Sequence, residues 1–347
     1  MFLGIEIGGT KLQLGVGPGD GSPLAGVERV SVDPKAGAQG ILRHIEQIGA
    51  PLIQRYSVEG VGIGFGGPVH ADDGRIIKSH QIAGWDDLQL AQWCQAKLGL
   101  PGCVENDCDA ASLAEARFGA GKGARVVLYV TVGSGIGGGL VIDGEIYRGS
   151  GRGAAEIGHL RPGLHADRSE DTVESVASGW GIAAAAHARL LGHVAKPFVP
   201  LTNGLTVAHP NEMRERLIEA EEVEEASAAD LLQRCDGYID QLTAKAIAEA
   251  AADGNIIAGE VLTHACEVLG WAIGQAITLF APHVVVVGGG VALMDESLFL
   301  APLRRQVDRY VFPAFAGTFQ IVPAQLGELV VVHGALVAAA LRANVEG

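Results

Sequence analysis

The chain has 347 residues, 48% of them hydrophobic and 19% charged. That length and balance exclude a disordered chain and leave room for about two domains with full cores. A net charge of −15 argues against a nucleic-acid partner, because gripping phosphates needs surplus Lys and Arg.

The opening "MFLGIEIGGTK" has no basic stretch before an apolar run, so no signal peptide is expected. Residues 3–17, "LGIEIGGTKLQLGVG", read as strand, glycine turn, strand. Successive backbone N–H groups at Gly8, Gly9 and Thr10 could cradle a phosphate, with Lys11 adding a cation. Glu6, at the strand end, could hold magnesium through water. An ordinary hairpin with a surface lysine fits the same residues. Residues 58–69, "VEGVGIGFGGPV", are a further strand ending in glycines, and 86–99 show helical spacing.

In "VENDCDAASLAE" a strand runs into a helix expected from about Asp109. Asp107 suits a general base and Asn106 a hydroxyl ligand; both are equally the usual helix caps. Residues 126–147, "VVLYVTVGSGIGGGLVIDGEIY", repeat the strand, glycine turn and strand. One device used twice would set two phosphate-gripping turns across a cleft. "GIGFGG" and "GSGIGG" fit a dinucleotide pattern, but a proline follows the first and a strand the second, where that fold needs a helix. "GAGKGA" lacks the earlier Gly and the later Ser or Thr of a P-loop.

"EIGHLRPGLHADRSEDTVE", residues 156–174, gathers imidazoles and carboxylates that fit either a metal or a polar ligand. The stretch 192–230 is the least regular, and its run "EAEEVEEA" reads as a solvated helix face. Helical spacing covers 229–254 and 258–280. Residues between Glu267 and Asp295 carry no Asp, Glu, Lys or Arg, yet Pro282 and His283 cut the run. A buried helix leading into a buried strand is expected there, not a membrane span, which takes about 20 apolar residues in one helix. "HVVVVGGGVA" ends that strand in Gly288, Gly289 and Gly290, bare backbone against which an adenine could lie. Five cysteines without a C-x-x-C pair suit reduced, cytoplasmic thiols. Alternating strands and helices mean an α/β protein.

In order, acid-x-GGTK, E-N-D before A-A-S-L-A-E, G-S-G-I-G-G-G, E-I-G-H and V-V-G-G-G-V resemble the ROK family of bacterial sugar kinases, over nearly the whole chain. The resemblance implies a two-domain α/β fold of the actin-like, ribonuclease H-like ATPase type with a central cleft. Residues 1–115 would form the smaller domain, joined by a C-terminal helix at about 330–347. Residues 116–329 would form the larger, with a helical insertion around 180–270.

It further implies an ATP- and magnesium-dependent hexose kinase in which Asp107 takes the proton of a sugar hydroxyl, most simply the 6-hydroxyl. Gly67, Asn106, Glu156, His159 and Glu174 would bind the sugar. The turns Gly8–Lys11 and Gly133-Ser134-Gly135 would hold phosphates, and Gly288–Gly290 the adenosine. Many members carry a zinc held by the motif's His and three Cys. The three cysteine positions here are His165, Asp167 and Thr172, so no structural zinc is expected, although His159, His165 and Asp167 could form a residual site.

Two further departures are Glu6 for Asp, and Asp109 for Asn, the latter expected to raise the proton affinity of Asp107. A glucokinase-like activity is the leading expectation. N-acetylhexosamine kinase, fructokinase and a non-catalytic sugar-binding regulator are the alternatives. A repressor is disfavoured by the acidic charge and by a first hairpin that begins at residue 3. The resemblance also allows a homodimer and implies no membrane partner.

Overall fold

The computed structural model describes residues 1–79, 82–150, 153–192 and 210–346. The first half supplies β1 (Phe2–Ile7), β2 (Lys11–Gly17), β3 (Gly26–Ser31), β4 (Gly60–Phe65), the two-residue pair β5 (Val69–His70) and β6 (Arg75–Ile76), and β7 (Gly102–Asn106). The second half supplies β8 (Val126–Val132), β9 (Ile136–Ile142), β10 (Glu145–Ile146), β11 (Val284–Gly288) and β12 (Gln320–Pro323). Two five-stranded sheets result, ordered β3-β2-β1-β4-β7 and β10-β9-β8-β11-β12. They match position by position: two antiparallel pairings lead to the central strand, followed by two parallel ones. The doubled hairpin read from the sequence is thus one corner of a doubled sheet.

The helices are α1 (Gly37–Tyr56), α2 (Leu90–Leu98), α3 (Asp107–Phe118), α4 (Val173–Ala177), α5 (Gly179–Leu190), α6 (Pro210–Arg234), α7 (Ala244–Ala252), α8 (Ile256–Phe280), α9 (Leu300–Tyr310) and α10 (Val330–Glu346). Helices α1 and α2 cover the first sheet, with Ile41, Ile45 and Leu90 packed on Leu3, Ile5, Leu14 and Ile63. Helices α4, α5 and α7–α9 build the larger core of the second sheet. Between the two sheets, α10 lies on β1 and β4, α3 lies on β8 and β9, and the two helices pack on each other. Glycine permits this closeness: a Cβ on Gly62 would land on the Ala335 carbonyl, and one on Gly334 on that of Ala110. Helix α8 is apolar and long enough to cross a membrane, but is largely buried in the second core before β11 begins.

Three expected boundaries move. The helical run 229–254 breaks at Asp236-Gly237, whose φ values of 51° and 78° lie in the left-handed region and end α6. Helix α2 starts at Leu90, after Asp87 at φ 56°, and not near residue 86. Helix α3 starts at Asp107, which leaves Asn106 as its cap. Residues 222–226 of the acidic run are exposed in α6, as expected of a solvated face.

Candidate active site

Asp107 follows β7 as the first residue of α3. Asn106 Oδ1 caps that helix, accepting from Cys108 N at 2.8 Å and Asp109 N at 3.3 Å. Its Nδ2 donates to Gly67 O at 3.1 Å, which leaves one amide hydrogen for a ligand. Capping and ligand binding are therefore compatible in this residue. The carboxyl of Asp107 accepts from Cys108 N at 2.9 Å. Burial pushes it up to about 6, the charges of Glu6 and Glu156 add to the rise, and the Cys108 bonds oppose it. Asp109 also faces Glu105 and Arg148, and the charges of Asp107 and Asp109 act on each other, beside those of Glu6 and Glu156 on Asp107.

The turn from β1 to β2 closes through Gly8 N to Lys11 O at 3.0 Å, with Gly9 and Thr10 in the bend. Glu6 sits opposite Gln13 and is 8% exposed. Its Oε2 accepts from Gln13 Nε2 at 2.5 Å, and its Oε1 lies 3.3 Å from Lys11 Nζ. Glu6, Lys11, Asp107 and Gly288–Gly290 line one cleft of about 480 Å³. Gly289 has φ +89°, and a Cβ there would stand 2.5 Å from Val132 O. Only glycine lets the strand turn so close to the end of β8.

The turn from β8 to β9 is tied by Gly133 N to Gly135 O at 2.9 Å, and Gly133 O also accepts from Gly179 N at the start of α5. Gly133, Ser134 and Gly290 line a second cavity of about 1150 Å³, walled by Trp180, His187, Leu242 and Lys245. These last four come from α5, α7 and the segment before α7. They meet only because α5 packs against α7, so nothing in the sequence marked them. The two cavities share Gly290 and Leu293.

Glu156 caps and His159 ends a short 3₁₀ turn, Ile157–His159, that comes after Ala155, a non-glycine residue at φ 59°. Burial raises the Glu156 carboxyl, the Glu174 charge raises it further, and the His159 charge opposes the rise. Glu174, in α4, accepts from Ile136 N at 2.7 Å, so it also anchors the second glycine turn. Thr172 caps α4 in a reciprocal pair with Ser175, and Arg168 pairs with Asp171 at 2.8 Å. Among the described residues no three His, Cys, Asp or Glu side chains form a metal-binding group, and His159, His165 and Asp167 are not brought together as one.

Lys11 and Gly288–Gly290 line the first cavity, Gly133, Ser134 and the apolar Ala183, Leu242 and Val291 line the second, and bare glycine N–H groups beside a cation are the groups that hold phosphates. Both Glu6 oxygens already have partners, in Gln13 Nε2 and Lys11 Nζ, so a magnesium ion would meet Glu6 through its retained waters.

The ROK family model matches residues 2–342. A glucokinase of Streptomyces coelicolor is 31% identical over 335 residues, covering 94% of this chain and 93% of that protein. A ROK family glucokinase from Streptomyces griseus, solved with glucose and AMPPNP, superposes with a TM-score of 0.75 at 31% identity, over 98% of this chain and 99% of that one. A xylose repressor of Caldicellulosiruptor bescii is 25% identical over 277 residues, covering 80% of this chain but 61% of the repressor.

Proposed function

Because the chain belongs to the ROK family and carries its actin-like ATPase fold, we propose that it is a sugar kinase that moves the γ-phosphate of ATP to a hexose hydroxyl, with glucose the leading substrate. One observation carries the reading: a carboxyl held at about 6 lines the same cleft as Lys11 and the Gly288–Gly290 turn. At neutral pH that carboxyl is ionised and still basic enough to accept a proton as the hydroxyl oxygen attacks.

In this reading Asp107 takes the proton, while Asn106, Gly67, Glu156, His159 and Glu174 hold the remaining hydroxyls. The turns at Gly8–Lys11 and Gly133–Gly135 hold the phosphates. The adenosine lies along Gly288–Gly290, against the wall made by Trp180 and Leu242. Glu6 would hold a magnesium ion through water, and that ion would neutralise charge on the phosphates. Alignment and charge neutralisation supply most of the acceleration in such transfers. The first sheet with α10, and the second sheet with its helices, would close as two domains divided near residues 115 and 330.

Glucose is favoured over fructose and the N-acetylated hexosamines by the glucokinases among the relatives. The test is an ADP-release screen over glucose, mannose, fructose, N-acetylglucosamine and N-acetylmannosamine, run beside the Asp107→Ala variant. Turnover of glucose well above that variant supports the reading. Equal, background rates on every sugar overturn it.

A further inference from the structure

Beside the hexose residues lies a charged cluster for which the phosphoryl transfer has no use. Glu105 in β7 and Asp109 in the first turn of α3 are 7% and 6% exposed. Arg148, in the segment after β10, pairs with Glu105 at 2.6 Å and also faces Asp109. Arg148 thus bonds one of the two buried carboxyls, Glu105, and acts on Asp109 through its charge alone. The pairing is incomplete, because Arg148 Nε and Glu105 Oε2 are buried without a hydrogen-bond partner. Asp109 and Arg148 also wall, together with Asn106 and Glu156, an enclosed cavity of about 10 Å³. That is room for roughly one water and for nothing larger.

Arg148 bonds Glu105, which leaves the buried Asp109 carboxyl without that direct pairing, and taking up a proton is the cheapest way to relieve a buried charge. The geometry puts that proton on Asp109, since Arg148 bonds Glu105 directly. The carboxyl of Asp109 is accordingly pushed up to about 7, first by burial and then by Glu105, with Glu156 and Asp107 adding and Arg148 opposing. Asp72, from the turn between β5 and β6, and Arg342 of α10 act on the same cluster through Glu105.

We propose that Asp109 is a positioning residue of the hexose site. Protonated, it leaves Arg148 to Glu105 and keeps the wall of Asn106 and Glu156 in place; ionised, it competes for Arg148, repels Glu156 and weakens hexose binding. The idea rests on the kinase reading and adds a pH response to that same site. It separates two ionisations by their effects. Asp107 governs the rate of the chemical step from the acid side, whereas Asp109 governs sugar affinity from the alkaline side.

The experiment follows glucose KM and kcat between pH 6 and 8.5, with the calorimetric Kd for glucose at both ends. In the wild type KM and Kd rise about tenfold, the effect of a one-unit change in the Asp109 proton affinity on sugar binding, while kcat changes by no more than about twofold, through Asp107 at the acid end. Asp109→Asn, a neutral residue of the same shape, keeps KM within about twofold across that range. His159 is unaltered in this variant, so a rise that survives it belongs to another group. Should Asp109→Asn fail to fold, Glu105→Gln serves, because Arg148 is then free to compensate Asp109 and the rise in KM disappears. Coincident KM profiles for wild type and variant, or a rise carried by kcat, overturn the proposal and leave the kinase reading intact. Failure to bind or phosphorylate any hexose overturns the kinase reading and the proposal with it.

Discussion

Replacing Asp107 with Asn tests the site from two sides at once. The carboxyl rises from 3.8 to about 6 in the folded protein, and each pH unit is worth about 1.4 kcal/mol. Holding it ionised in the cleft therefore costs about 2–3 kcal/mol of folding stability. The sign follows from a folded value raised above the unfolded one. The contribution of the aspartate to stability is fully present below pH 3.8 and is lost as pH climbs through about 6. Asn imitates the protonated form and keeps an oxygen for Cys108 N.

At pH 8 the variant should accordingly be more stable than wild type by about 2–3 kcal/mol, a rise of a few degrees in melting temperature. Near pH 3.5 the difference should vanish. Activity should move the other way, with kcat down by about 10²- to 10⁴-fold through loss of the base. The wild-type kcat should fall about tenfold per pH unit below pH 6. Thermal melts at several pH values and a coupled ADP-release assay measure both halves. A variant that is no more stable at pH 8, or that keeps activity within about tenfold of wild type, would refute the placement of a desolvated base at this position.

Gly289→Ala should cost about 1–3 kcal/mol, because alanine at φ +89° is strained and its Cβ meets Val132 O. ATP KM should rise while glucose KM holds, and an unchanged ATP KM would remove this turn from the nucleotide site. Glu115→Ala should destabilise the protein by about 3 kcal/mol and speed hydrogen exchange at Gln325 and Leu326. The fully buried Glu115 carboxylate accepts from the N–H groups of Ala120, Gln325 and Leu326, tying α3 to a loop that lines the cleft. Slow exchange at both amides in the variant would contradict this. Metal analysis should find no stoichiometric zinc, and activity should return after chelation once magnesium is restored; one tightly held zinc per chain would show that the 160–172 loop binds metal after all.

The glycine hairpins, the buried β11 and the doubled first corner of each sheet were legible in the amino-acid order, because turns and strand alternation are short-range properties. Motif order also carried the family, and with it the roles expected of Asp107 and its neighbours. The break in the 229–254 run escaped that reading because Asp236-Gly237 sits inside unbroken helical spacing. Asn106 could be cap or ligand until its two ends were seen to bond different partners.

The walls of the larger cavity and the pairing of Arg148 with Glu105 beside Asp109 were invisible in one dimension. Arg148 lies 43 residues from Glu105 in the chain, and nothing local to either residue announces the other. The amino-acid order by itself determined which segments turn, pleat and coil, since those choices depend on neighbours a few residues away. Only the packing of the two sheets around α3 and α10 decided which charges are buried together, because desolvation and ion pairing depend on distance in space.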